Sequence, residues 1–117
     1  MFLKQVEKTV TQGFQNLAKL QKKDGHWVFP LEADTTISSE YIILNHYLGE
    51  LEITIEKKLA DFIKKKQNPD GGWPLFYKGE SNISTSTKAY FALKLSGISE
   101  KTNIMKKAKI FILSKGG

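Results

Sequence analysis

Few residues of this 117-residue chain have the type and spacing that chemistry demands. Glu32 and Asp34 flank Ala33, a pairing of carboxyls that could serve acid and base roles. Asp34, however, precedes Thr35-Thr36 and an apolar run, which is the place of a helix cap. Glu40 falls where a carboxylate near the first turn of the same helix would suit its dipole. His26 and His46 are too far apart in sequence to have a metal-ligand spacing, and the chain has no cysteine to complete a site. The hydroxyl-rich run Ser81 to Thr87 has no histidine and carboxylate arranged with it to activate a nucleophile. Its Asn82-Ile83-Ser84 is a formal glycosylation sequon, which has meaning only in a secreted protein. No glycine-rich phosphate loop is present. Neither a catalytic residue nor a metal ligand is assigned.

The most distinctive stretch is Gln67–Trp73, QNPDGGW, and it has an echo in Gln21–Trp27, QKKDGHW. Both read Gln, three residues, Gly, one residue, Trp. They hold the only two tryptophans of the chain, 46 residues apart. The elements around them repeat as well. A first helix is predicted over Phe2 to Lys22, with Val6, Val10, Phe14, Leu17 and Leu20 on one stripe. Gly25 breaks it, and HWVFPLE follows as a connection apolar enough to be packed down, with Pro30 turning Phe29 away from helix. A second, more apolar helix starts near Asp34–Thr36 and stops at Gly49, with Ile37, Tyr41, Leu44 and Leu48 on one face. A third spans Ile53 to Lys66, its stripe Ile55, Leu59, Phe62 and Ile63, its flanks rich in lysine. After QNPDGGW, WPLFYKGE is a second packed connection. A fourth helix runs from Asn82–Ser84 to Ser96-Gly97 with Ile83, Thr87, Tyr90, Phe91 and Leu95 alternating with small Ala89 and Ala92, and a fifth from a Ser99 cap to about Ser114. A charged helix, a turn, a packed loop and an apolar helix, repeated at this period, predict a helical solenoid or α/α toroid with charged helices outside and apolar ones inside.

Within the turn, glutamine can satisfy backbone groups at a helix end, glycine lets the backbone pass close by, and tryptophan offers a broad apolar surface with one N–H to place. The predicted role of Gln21, Gly25, Trp27, Gln67, Gly71 and Trp73 is therefore structural bracing.

Composition excludes other classes. Hydrophobic residues make up 40% and charged residues 26%, as in a folded chain. No run has the length of a membrane span, and the start MFLKQVEKTV lacks the apolar core of a secretory signal. A cytoplasmic location is the default. The net charge of +6 comes with eighteen basic residues, every one a lysine. Bidentate reading of phosphate and guanine is mainly arginine work, so nucleic acid is not an expected partner. The helix IMKKAKIFIL could lie on an anionic membrane surface; as an outer helix of a toroid it would carry the same pattern.

These residues resemble the N-terminal part of squalene–hopene cyclases, class II triterpene cyclases. Their QW motif joins a basic residue, Gly or Ala, an aromatic, an aliphatic, Gln, Gly and Trp. Gly13, Leu17, Gln21, Gly25 and Trp27 fit a first copy, with Asn16 in the aromatic place and Gln12 in the basic one. Lys58, Phe62, Ile63, Gln67, Gly71 and Trp73 fit a second, with Leu59 in the Gly/Ala place. Lys107, Ala108, Phe111 and Ile112 begin a third, in which Gly116 stands where Gln would be. The resemblance covers essentially the whole chain.

The resemblance implies an all-α protein, residues 1–117 being the N-terminal part of a first α/α-barrel domain, about five helices, that stops within its third repeat. It implies acid-initiated cyclisation of squalene to hopene or hopanol without metal or organic cofactor, in an enzyme of hopanoid biosynthesis. Such an enzyme sits on the cytoplasmic side of a bacterial membrane as a peripheral protein and forms homodimers. The remainder of the cyclase chain would be the partner of this stretch. The family's acid is the middle Asp of an Asp-x-Asp-Asp motif in the C-terminal half. Asp24, Asp34, Asp61 and Asp70 provide no such spacing. This stretch alone is therefore expected to be inactive, a natural fragment or truncation that is marginally soluble. Two alternatives stay open: a non-catalytic α/α-toroid module, as in prenyltransferase β-subunits and complement-type domains, and another class II terpene cyclase of sporulenol or diterpene type.

Overall fold

The computed structural model describes residues 1–29 and 31–116; Pro30 and Gly117 lie outside the described residues. The chain is all-α, with five helices and one very short antiparallel pair of strands among the described residues. It divides into two compact units, Met1–Glu32 and Ala33–Gly117.

The first unit holds α1 (Phe2–Leu20) and the turn after it. Its amphipathic pattern makes a helix, as its spacing predicts, but no residue of α1 is buried. The connection that follows is not packed down either: Trp27, Val28, Phe29 and Leu31 are all exposed. Both expectations assumed that apolar residues find cover, and a unit this small cannot enclose a core with one helix and a turn.

The second unit contains α2 (Thr35–Leu48), α3 (Ile53–Lys65), α4 (Ile83–Leu95) and α5 (Asn103–Ser114), with strands β1 (Trp73–Pro74) and β2 (Ser81–Asn82) between α3 and α4. The helices begin and end for local reasons. Asp34 caps α2 by accepting from the Thr36 amide, and Asn82 caps α4 by accepting from the Thr85 amide. Gly49 ends α2 in the left-handed conformation that a side chain would oppose. Ser99 does not cap α5. It closes a turn with Lys101 and Thr102, so the helix starts at Asn103, later than its sequence predicts.

The core joins Ile42 of α2, Ala60 and Ile63 of α3, Trp73, Ala89, Ala92 and Leu93 of α4, and Met105 and Ala108 of α5. The charged helices α3 and α5 contribute a narrow stripe and leave most of their lysines exposed. In α2 the buried face differs from the predicted one, and in α4 the small Ala89 and Ala92 are buried with Tyr90 and Leu95 packed against the core. α2 buries Thr35, Ser39 and Ile42, and its Ile37, Tyr41, Leu44 and Leu48 are exposed. α4 buries Thr85, Ser86, Ala89, Ala92 and Leu93, and its Ile83, Thr87 and Phe91 are exposed. Apolarity was a poor guide here because small and hydroxyl side chains let the two helices pack closely. The hydroxyls meet local acceptors: Ser39 donates to the Thr35 carbonyl and Ser86 to the Asn82 carbonyl.

The connection WPLFYKGE is only partly packed. Trp73 is buried, but Leu75, Phe76 and Tyr77 form an exposed hairpin tip. No helix is long and apolar enough to cross a membrane among the described residues.

Candidate functional site

The turn after α3 is built from backbone contacts outward. The Asn68 amide donates to the Gly72 carbonyl and the Gly71 amide to the Asn68 carbonyl, at 2.9 and 3.0 Å. Asp70 Oδ1 accepts from the Gly72 amide and from Ser81 Oγ, and Asn68 Nδ2 donates to the Gly79 carbonyl and to Ser81 Oγ. The turn is thereby tied to the two-stranded hairpin.

Gln67 uses both protons of its amide. Nε2 donates to the Gly71 carbonyl and to the Ile104 carbonyl in the first turn of α5, each at 2.9 Å. Trp73 is fully buried; its Nε1 donates to the Ile63 carbonyl at 2.7 Å, and its amide to Ser86 Oγ at 2.8 Å. Gly71 has φ 94, and a Cβ there would sit 2.4 Å from the Lys107 carbonyl oxygen. This position needs glycine twice over, for its backbone angle and for its contact with α5.

The turn after α1 repeats the local geometry. Gln21 Nε2 donates to the Gly25 carbonyl, Trp27 Nε1 donates to the Leu17 carbonyl at 2.7 Å, and Gly25 also has φ 94. The Lys22 amide donates to the His26 carbonyl and the Gly25 amide to the Lys22 carbonyl, as their counterparts do in the second copy. Packing is what differs: Trp27 is 45% exposed, and a Cβ on Gly25 would meet only the Gln21 amide, at 4.0 Å.

A second repeated feature escaped the sequence reading. Lys66 Nζ lies 5.5 Å from the Phe62 ring centroid, and Lys115 Nζ lies 5.8 Å from that of Phe111. Phe62 and Phe111 hold matching places before their turns. Each ring carries a lysine four positions on, a helical cation–π spacing that a search for this pair would have found.

The candidate acids and histidines are absorbed elsewhere. Asp34 is a cap whose Oδ2 also accepts from Thr36 Oγ1. Glu40 lies beyond the first turn of α2 and pairs with Lys88 of α4 at 2.7 Å. Glu32 is exposed. His26 pairs with Asp24, and His46 with Glu56. Asn82 caps α4. The hydrogen bond and charge of Lys64 hold the Asp61 carboxyl below its ordinary range, and Lys94 does the same for Glu100. Both carboxyls are on the surface. Among the described residues, no three His, Asp or Glu side chains gather as metal ligands. The contacts of the second turn join the end of α3 to α5 and to the β1–β2 hairpin.

Residues 10–117 match the family described as the squalene-hopene cyclase N-terminal domain. The chain belongs to the squalene-hopene cyclase family. It is 46% identical over 113 residues to a squalene–hopene cyclase of Zymomonas mobilis and 41% identical over 116 residues to one of Schizosaccharomyces japonicus. These alignments cover 96% and 98% of this chain and 17% and 18% of the relatives. A dammaradiene synthase of Dryopteris crassirhizoma is 34% identical over 101 residues, 86% of this chain and 15% of that protein. The chain thus spans under a fifth of the length of these curated relatives.

Gln67 offers a direct test of the second turn. Its replacement by alanine leaves the Gly71 and Ile104 carbonyls without that donor. Half-buried acceptors stripped in this way cost about 1–3 kcal/mol. Urea unfolding is expected to show a loss of this size for Gln67→Ala and a smaller one for Gln21→Ala, whose amide bonds a single, exposed carbonyl.

Proposed function

We propose that this chain supplies the first helical repeats of a squalene–hopene cyclase-like enzyme, and that its two Gln-x-x-x-Gly-x-Trp turns are the QW braces of an α/α barrel. The observation that carries this reading is the recurrence, 46 residues apart, of the same set of hydrogen bonds around Gln21 and Gln67 in a chain of this family. In such an enzyme the substrate is squalene, and the reaction is protonation of a terminal alkene followed by cation-driven ring closure. The part of these repeats is to hold helices in register around an enclosed apolar space, not to touch the reacting atoms. Phe62 and the bracing residues above are structural in this reading. The whole enzyme would work as a peripheral protein at a membrane and as a homodimer, with no bound cofactor.

Proton transfer to an alkene needs a strong, hydrogen-bonded acid in a water-free pocket. The four aspartates of the chain have no Asp-x-Asp-Asp spacing. This stretch by itself is therefore expected to be inactive. Incubated with detergent-dispersed squalene, it is expected to yield no cyclised product by gas chromatography and mass spectrometry; a hopene peak would refute inactivity. The family role is tested separately. The chain is spliced in place of the homologous segment of the Zymomonas mobilis relative. A chimaera that still forms hopene supports the role, and a folded chimaera without product counts against it.

A further inference from the structure

The two turns share a dipeptide as well as a brace: Asp24-Gly25 in the first and Asp70-Gly71 in the second. An aspartate before glycine is open to attack on its own carboxyl, because glycine has no Cβ to shield its backbone nitrogen. The glycine nitrogen bonds to Cγ; its proton and the carboxyl OH leave together as water, and a cyclic succinimide forms. Water then opens the ring at either carbonyl. Opening at the α-carbonyl leaves isoaspartate, with the main chain rerouted through the side chain.

The backbone treats both pairs alike. Gly25 and Gly71 both have φ 94, and their amides donate to the Lys22 and Asn68 carbonyls at 2.9 and 3.0 Å. The carboxyls are held differently. Asp70 Oδ1 accepts from the Gly72 amide at 3.0 Å and from Ser81 Oγ at 2.7 Å, so turn and hairpin together fix the position of Cγ. Asp24 pairs instead with the ring of His26, an exposed side chain free to turn with it, and is itself 70% exposed at the side chain. Packing of a turn does not close this position: the second turn rests on α5, and Asp70 is still exposed.

We propose that Asp24-Gly25 is a site of spontaneous isoaspartate formation, and that Ser81 and the Gly72 amide protect Asp70-Gly71 from the same reaction. The methylene that enters the main chain at Asp24 falls between Gln21 and the Gly25 carbonyl to which its amide donates, so the first brace loses its spacing. The α-carboxylate set free in the product is the group that an isoaspartyl-directed methyltransferase takes as substrate.

The test ages the full chain in warm neutral buffer. Isoaspartate at each site is measured by peptide mapping with electron-transfer mass spectrometry. It is expected to build up at Asp24 several times faster than at Asp70. In urea, where no fold restrains either carboxyl, the two sites are expected to convert at similar rates. Ser81→Ala removes one anchor of Asp70 and leaves the first turn untouched, so it is expected to narrow the gap, with circular dichroism checking the fold; the first two comparisons need no variant. No isoaspartate at Asp24, equal rates at the two sites of the folded chain, a gap that persists in urea, or a folded Ser81→Ala chain with its gap unchanged would overturn the proposal.

Discussion

Trp73→Ala is expected to remove about 3–5 kcal/mol of stability, most of what a domain of this size holds. The indole is fully buried in the core of the second unit, and alanine leaves a cavity that small core residues such as Ala89 and Ala92 cannot fill. It also takes the Nε1 donor from the Ile63 carbonyl, which keeps the Lys66 amide. Trp27→Ala is expected to cost no more than about 1 kcal/mol, because Trp27 makes the same hydrogen bond from an exposed position. Trp73→Phe separates the two terms, keeping most of the apolar volume and losing the N–H. Urea titrations followed by circular dichroism measure all three. Equal losses for the two alanine variants would contradict the packing described for the second turn.

Gly71→Ala carries the second large effect. Both Gly71 and Gly25 have φ 94, so a Cβ at either adds backbone strain of about 1–2 kcal/mol. Only Gly71 faces a neighbour. Its Cβ would fall 2.4 Å from the Lys107 carbonyl oxygen, and that oxygen belongs to the backbone of α5 and cannot swing away as a side chain would. Moving a packed helix adds about 1–3 kcal/mol. The two variants share the strain term and differ in the clash, so the gap between their unfolding midpoints isolates the α5 contact. A Gly25→Ala loss as large as that of Gly71→Ala would mean that backbone angle alone sets the cost.

Much of this architecture was legible in sequence because it rests on local signals. Asp34, Gly49, Asn82 and Gly97 mark helix ends through caps and left-handed turns, which act within a few residues. The glutamine–tryptophan turns were visible for the same reason. What was not legible depends on neighbours. Ile37, Tyr41 and Leu44 look like a core stripe and are exposed, while Thr35, Ser39, Thr85 and Ser86 look polar and are buried. Periodicity gives a helix its apolar side, but closeness of approach decides which side another helix takes, and there small residues outcompete large ones. Glu40 showed the same limit: its first-turn reading was local, and its partner, Lys88, is a residue of another helix. The small β1–β2 pair was missed because two residues per strand leave no alternation to detect.

The double use of the Gln67 amide bears on the order in which the chain folds. Its bond to Gly71 closes over four residues and that of Trp73 to Ile63 over ten, separations that a growing chain samples quickly. Its other bond reaches Ile104, across 37 residues, and Gly71 rests on α5 as well. The local half of the turn can therefore form as soon as α3 exists, while its completion waits for α5. Nucleation and locking are separate events in this turn, and the residues that report the late one are Gln67 and Gly71.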